Sequence, residues 1–286
     1  MKLEIRSSAS RLSWRVGGRL RFLERRRRAR FETAALPPGA EEGPVHGFCF
    51  VCGVPSVFPM DAEHSWMEGG VRRLNWRERL ICPTCGLNCR MRAGLHLIDL
   101  VLKPGQGSAI YATEQLTAFF SHLQKRYPWA VGSEYLGPDF PRGALDERGL
   151  RHETVEDLSF GDATLDLLIT EDVMEHVAEP VRALQEFSRV LKPGGVLLLS
   201  VPFDERRRTT VRRASRQADG TVVHHLPPAY HVDPLDPKGC LVFSDFGWDL
   251  LEMIARAGFS SSRLFALWSA DYAYLGSTNL YFVARR

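Results

Sequence analysis

The hydrophobic pattern divides the 286-residue chain into three parts. In the first, Leu12, Val16, Leu20 and Leu23 recur at three- to four-residue spacing among arginines, which predicts a helix. Gly17-Gly18 and the like-charge run Arg25–Arg28 weaken it. Leu36-Pro-Pro-Gly-Ala-Glu-Glu-Gly-Pro44 reads as a linker, because its prolines and glycines prevent continuation of a helix. A cysteine-bearing segment, 45–107, ends in the turn-rich hinge Lys103-Pro-Gly-Gln-Gly107. From Ser108 the pattern alternates between strand and helix, which predicts a parallel sheet covered by helices. Expected strands are Ser108–Thr113, Ala130–Leu136, a weaker Leu150–Val155, Leu165–Thr170, Val196–Val201, Arg263–Leu267 and Leu280–Ala284. Expected helices are Glu114–Tyr127, Val181–Leu191 and Phe246–Ala257.

Composition adds two exclusions and one asymmetry. At 44% hydrophobic the chain is not disordered throughout, and no apolar run approaches the roughly 18 residues of a membrane span. No secretory h-region opens the chain, so a cytoplasmic location is expected. The net charge of +3 conceals a basic arm: residues 1–30 hold eleven Lys/Arg against Glu4 and Glu24, or +9, and the remainder carries −6. Such an arm is a solvated, partly disordered extension, or is drawn to an anionic surface of lipid, nucleic acid or acidic protein. It also resembles a transit peptide in being Arg- and Ser-bearing and poor in acids.

Cys49-Phe-Val-Cys52-Gly53 and Cys82-Pro-Thr-Cys85-Gly86 are two CxxCG knuckles. Together they offer the four soft ligands of a tetrahedral structural zinc site, in a ribbon with an inserted loop. Disulfides and redox thiols are the alternatives; nothing indicating export disfavours the first, and the pairing of knuckles disfavours the second. Cys89 is a spare, His46 and His64 read as surface histidines, and Cys240 as an ordinary half-buried thiol.

The most informative run is Leu158-Ser-Phe-Gly-Asp-Ala-Thr-Leu-Asp-Leu-Leu-Ile-Thr-Glu-Asp-Val-Met-Glu-His-Val177, continued by Glu186-Phe-Ser-Arg-Val-Leu-Lys-Pro-Gly-Gly-Val-Leu-Leu-Leu-Ser-Val-Pro202. The pair resembles the fourth strand, following helix and fifth strand of class I S-adenosylmethionine-dependent methyltransferases, nearest to their type 11 group. The resemblance covers about residues 108–286. It implies an α/β, Rossmann-like, doubly wound sheet of the seven-stranded type, preceded here by the four-cysteine ribbon. It divides the chain into arm and linker 1–44, ribbon 45–107 and methyltransferase-like domain 108–286. It also implies S-adenosyl-L-methionine as cofactor. Ligands in such sheets lie beyond the strand carboxyl ends at the switch point, where Thr170 and Glu171 would meet the cofactor. Glu134 matches the acid that accepts from both ribose hydroxyls, and Glu153 and Thr154 match the loop that meets adenine. His176 matches the family's Glu-His pair, as a catalytic base or a packed helix-start histidine. Asp162 and Asp166 read as caps or turns.

One departure stands out. The first strand should end in a Gly-x-Gly-x-Gly turn, but Ala109–Thr117 has no glycine, leaving Thr113, Glu114 and Gln115 to contact the methionine end. On the acceptor side, His224, His225, Tyr230, His231 and Asp233 fall where this fold carries a lid. Tyr230 and His231 can hydrogen-bond or deprotonate a hydroxyl; metal binding by the histidines and a plain polar loop are the alternatives. The expected partner is a small-molecule or glycan acceptor. A non-catalytic scaffold and a nucleic-acid-modifying enzyme remain alternatives.

Overall fold

The computed structural model describes residues 1–16, 18–36, 40–276 and 279–286. Gly17, part of the weak point expected in the arm, and Pro37, Pro38 and Gly39 of the expected linker lie outside the described residues. The chain forms two compact units: residues 1–103 with 265–280, and residues 104–264 with 281–286.

In the first unit the basic arm is built rather than loose. It forms a strand, Glu4–Ser8, and the helices Arg11–Val16 and Gly18–Ala34. Trp268 anchors it: Phe31 meets the indole edge-on at 5.8 Å, the Arg28 guanidinium lies 5.1 Å over the ring, and Trp268 Nε1 donates to Glu32 Oε1. The ribbon begins with an antiparallel hairpin, Gly43–Cys49 with Val54–Met60. The long insertion between the knuckles folds as a second hairpin, Trp66–Glu68 with Val71–Arg73. After the second knuckle comes the helix Cys89–Leu97, capped by Asn88 accepting from the Met91 amide.

The sheet has seven strands in the order Glu4–Ser8, Ser261–Trp268, Leu280–Arg285, Leu191–Ser200, Leu165–Glu171, Ile110–Ala112 and Val131–Gly132. The last four run parallel, and Leu280–Arg285 is antiparallel to Leu191–Ser200. The count of seven agrees with expectation but the membership does not. Leu150–Val155 is no strand; it contributes isolated bridges, a parallel one between His152 and Glu134 and antiparallel ones between Arg151 and Leu145 and between Thr154 and Asp157, and Glu4–Ser8 supplies the seventh strand instead. Leu168, Ile169 and Leu197–Leu199 are wholly buried, which is why those strands read as unbroken apolar runs. Each such side chain contributes roughly 1.5–3 kcal/mol on burial. The helix Pro180–Val190 starts on a proline at its first turn and buries Ala183, Leu184, Phe187 and Val190 at helical spacing. The helix expected from Glu114 begins only at Ala118, because Thr117 caps it by accepting from the Phe120 amide. Among the described residues no helix is long and apolar enough to cross a membrane.

Candidate functional site

The two knuckles converge in the first unit. Gly53 and Gly86 adopt φ of +71° and +72°, and each donates its amide to the carbonyl of the first cysteine of its own knuckle at 2.8 Å. Cys49 Sγ and Cys85 Sγ are 3.8 Å apart, Cys52 Sγ and Cys82 Sγ 3.9 Å, and all four sulfurs lie within 4.8 Å of one another. An ion about 2.3 Å from each of four tetrahedral sulfurs would set them about 3.8 Å apart, so the group has the size of a zinc shell. The hydrogen bond from Cys85 brings the Cys49 pKa down to about 5, against burial. Burial and the Cys49 charge push Cys52 up to about 12. Cys89 lies outside this group. It is fully buried, and its thiol faces the Ala273 carbonyl at 3.6 Å and Asn279 Oδ1 at 3.5 Å. His46 and His64 are exposed.

The second unit carries the switch point. Ile110–Ala112 has Val131–Gly132 on one side and Leu165–Glu171 on the other, so successive crossovers diverge at its carboxyl end. Thr113 Oγ1 donates to the wholly buried Thr170 Oγ1 at 3.0 Å, tying the two strand ends together. Glu114 and Glu171 are buried there, and Thr117 Oγ1 donates to Glu114. Asp172 follows with φ of +53°, a strained conformation that its bonds to Ser200 help hold: its amide donates to the Ser200 carbonyl at 3.0 Å and Oδ1 accepts from Ser200 Oγ at 2.9 Å.

Glu134 occupies a different position from a free ribose clamp. Its Oε1 accepts the amides of Gln115 and Leu116, both at 2.7 Å, so this carboxylate holds the glycine-free turn in shape. Oε2 accepts no hydrogen bond among the described residues. Burial raises the Glu134 pKa, with the Asp233 carboxylate adding to it and the two amides opposing. The glycine required by close approach sits on the neighbouring strand: a Cβ at Gly132 would lie 2.6 Å from the Glu114 carbonyl oxygen and 2.6 Å from Phe120 Cζ. No sequence motif announced it.

The remaining expected contacts take other duties. The Gln115 side chain donates to the Gly149 carbonyl at 3.0 Å and accepts the Arg151 amide at 2.9 Å, clamping the next loop. Glu153 is buried and held by Arg151 Nε at 2.9 Å and by the amide and hydroxyl of Ser159. Thr154 opens a turn whose carbonyl takes the Asp157 amide. Asp166 accepts from the Ala109 amide and Lys192 at the strand start, and Asp162 pairs with Arg189.

Just past Asp172, three of the titratable groups meet. His176 Nδ1 lies 2.8 Å from the Leu241 carbonyl, which can only accept, so Nδ1 carries the proton and Nε2 the lone pair. That Nε2 is 3.2 Å from His231 Nδ1. Glu175 is 1% exposed, and its Oε1 lies 3.6 Å from His231 Nδ1 and 3.8 Å from His176 Nε2. Burial raises the Glu175 pKa, with Asp172 adding to it. Sequence reasoning named His231 and His176 but did not place Glu175 among the site residues; its adjacency to His176 was the available signal. Tyr230 precedes His231 in a short strand paired with Cys240–Leu241, is exposed, and projects from the opposite face of that strand. His224 and His225 are exposed, and His225 Nε2 lies 3.0 Å from Ser215 Oγ rather than in this cluster.

Residues 121–199, which run through the parallel strands Val131–Gly132 and Leu165–Glu171 and nearly all of Leu191–Ser200, match the methyltransferase-domain family. A curated Mycolicibacterium smegmatis protein named "Probable S-adenosylmethionine-dependent methyltransferase" is 38% identical over 159 residues, covering 52% of this chain and 53% of that one. A Ruegeria pomeroyi ubiquinone biosynthesis O-methyltransferase is 33% identical over 148 residues, covering 41% and 58%. The chain thus spans somewhat over half the length of these relatives. Among solved structures, an S-adenosylmethionine-dependent methyltransferase from Mesorhizobium loti is 15% identical with a TM-score of 0.42, covering 68% of this chain and 98% of that one.

Proposed function

We propose that this protein is an S-adenosylmethionine-dependent methyltransferase acting on a hydroxyl of a small molecule or glycan, with a structural zinc ion in its four-cysteine cluster. The observation that carries the reading is the methyltransferase-family match over residues 121–199, which takes in the strands Val131–Gly132 and Leu165–Glu171 that flank Ile110–Ala112 at the switch point. The donor set at those strand ends suits the cofactor. Hydroxyls and an ammonium group need acceptors, and Glu134, Glu114 and Glu171 supply buried or half-buried carboxylates there. Glu134 Oε2 is the oxygen left for a ribose hydroxyl once Oε1 has bound the turn. Thr113 and Thr170 line the same strand ends, while Glu153, Thr154 and Gln115 support the walls from behind.

When bound, the cofactor would supply a methyl group on a sulfonium. The protein's task is then to align an acceptor oxygen, exclude water and take up the acceptor proton. This reading gives the last step to His176 and His231, which lie together beside Glu175. Two sulfur–sulfur distances that match a tetrahedral shell support zinc in the other unit.

Calorimetric titration with S-adenosylhomocysteine tests the enzyme reading. Micromolar binding, weakened at least tenfold by Glu134→Ala, is expected; no binding at millimolar ligand overturns it. One zinc ion per chain lost in a Cys82→Ser/Cys85→Ser variant tests the ribbon. A second reading, a non-catalytic scaffold, is favoured by the glycine-free turn Thr113-Glu114-Gln115 and is the outcome of a failed titration.

A further inference from the structure

We infer that Glu175, His176 and His231 form a binding site for a divalent cation of the zinc class, separate from the four-cysteine cluster. Three observations converge on it. The ligand atoms Glu175 Oε1, His176 Nε2 and His231 Nδ1 stand 3.2, 3.6 and 3.8 Å apart. Three corners of a tetrahedron with bonds of about 2.1 Å are separated by about 3.4 Å, close to this triangle. The point equidistant from the three atoms lies about 2.1 Å from each, the usual length of a zinc bond to nitrogen or carboxylate oxygen.

The second observation is the state of the carboxylate. Glu175 is 1% exposed, yet neither of its oxygens has a hydrogen-bond partner among the described residues, the nearest imidazole nitrogens being too far for one. A buried carboxylate whose nearest cationic or donor groups are imidazole nitrogens 3.6 and 3.8 Å away is poorly compensated, and a coordinated cation would offset that penalty. The third is the preparation of His176. Its Nδ1–H is directed at the Leu241 carbonyl, which fixes the tautomer and turns the Nε2 lone pair toward the cluster, as outer partners of metal-bound histidines do. Two imidazoles and one carboxylate suit borderline ions such as zinc, and three protein ligands leave a coordination position open.

Resting on the methyl-transfer reading, that open position has a use. An acceptor oxygen bound there would give up its proton to solvent water more readily, because the cation would stabilise the resulting alkoxide or phenolate, and His176 and His231 would then serve as ligands and not as the base. The acceptor class is then one with an oxygen able to reach a metal ion, rather than an amine already protonated at neutral pH.

The test uses the metal alone. Full-length protein already holding one zinc in its cysteine cluster is titrated calorimetrically with zinc chloride in the absence of cofactor. One further site per chain is expected, lost or weakened at least tenfold in His231→Ala and in Glu175→Gln. His231 is surface-exposed, so its alanine variant should keep the circular dichroism spectrum and melting temperature of the parent even if Glu175→Gln does not. Absence of a further site, or a site equally strong in both variants, overturns the inference. Titration with S-adenosylhomocysteine is read separately: cofactor binding without the second zinc refutes this site alone, and the second zinc without cofactor binding refutes the methyltransferase reading alone.

Discussion

Gly132→Ala tests whether the turn after the first parallel strand is shaped from its neighbour. The new Cβ would lie 2.6 Å from the Glu114 carbonyl oxygen and 2.6 Å from Phe120 Cζ, contacts that real side chains do not make. Phe120 is 4% exposed and has little room to retreat, so the turn must move. Overpacking of this kind costs about 1–3 kcal/mol. Displacing the Glu114 carbonyl also strains the adjacent Gln115 and Leu116 amides, each donating at 2.7 Å to Glu134. Hydrogen bonds to a charged group contribute about 1.5–3 kcal/mol apiece, and partial loss of two brings the expected total to roughly 2–4 kcal/mol. At about 2–4 °C per kcal/mol for a unit of this size, thermal unfolding should shift down by about 5–15 °C. S-adenosylhomocysteine affinity should fall at least about tenfold, since each 1.4 kcal/mol of misplacement at Glu134 is a factor of ten. Differential scanning fluorimetry and calorimetric titration read the two effects. Gly105→Ala, whose new Cβ would find its nearest neighbour at 3.9 Å, is the control. A Gly132→Ala protein that melts within 2 °C of the parent and binds S-adenosylhomocysteine unchanged would refute the reasoning.

Three other substitutions probe the surrounding structure. Burial lowers the His152 pKa below 6.5, and its Nδ1 accepts the Leu136 amide as a neutral ring; stability from it is full above pH 6.5 and lost as pH falls through the lowered folded value, so melting should decline between pH 7 and 5, less steeply in His152→Asn. An equal slope in both proteins would exclude His152 as the cause. Burial raises the Glu32 pKa although Trp268 Nε1 and the Gly276 amide donate to its Oε1, so ionising it becomes a burden as pH rises; Glu32→Gln should stabilise the protein at pH 8 relative to the parent and lose that advantage at pH 4, which paired melting curves will show. Arg92 is 0% exposed and donates to the carbonyls of Leu80, Tyr272 and Ala273; Arg92→Met should strand these acceptors at about 3 kcal/mol or more, seen as faster proteolysis within residues 265–280.

How much of this was legible depended on where the determining contacts lie in the chain. The strands Leu165–Glu171 and Leu191–Ser200 announced themselves because both faces are buried, which forces continuous apolar runs. Leu150–Val155 misled because its β-like residues spend their backbone groups locally: Asp146 donates to the Leu150 carbonyl, and His152 and Gly143 bond within the same loop. The four knuckle cysteines were readable from spacing alone, since two short-range pairs suffice. His231 was readable as a polar residue in a lid-like segment and Glu175 as the neighbour of His176, but their meeting was not, because 55 residues separate the two imidazoles and no local pattern encodes the contact. Glu134 was foreseen as a cofactor contact; its bonds to the Gln115 and Leu116 amides could be seen only once the turn had a shape.

The helix Cys89–Leu97 has a consequence for the order of events as the protein is made. Both knuckles are complete once residue 86 has emerged, so a metal ion can be captured early. The helix behind them must wait: Arg92 needs the carbonyls of Tyr272 and Ala273, His96 needs Tyr274, and the Cys89 thiol needs the Ala273–Asn279 stretch. Those partners are synthesised 178 to 190 residues later. Through that interval a bound ion would protect four thiols but not Cys89, which leaves Cys89 open to oxidation in the nascent chain and among the most sheltered thiols in the finished one.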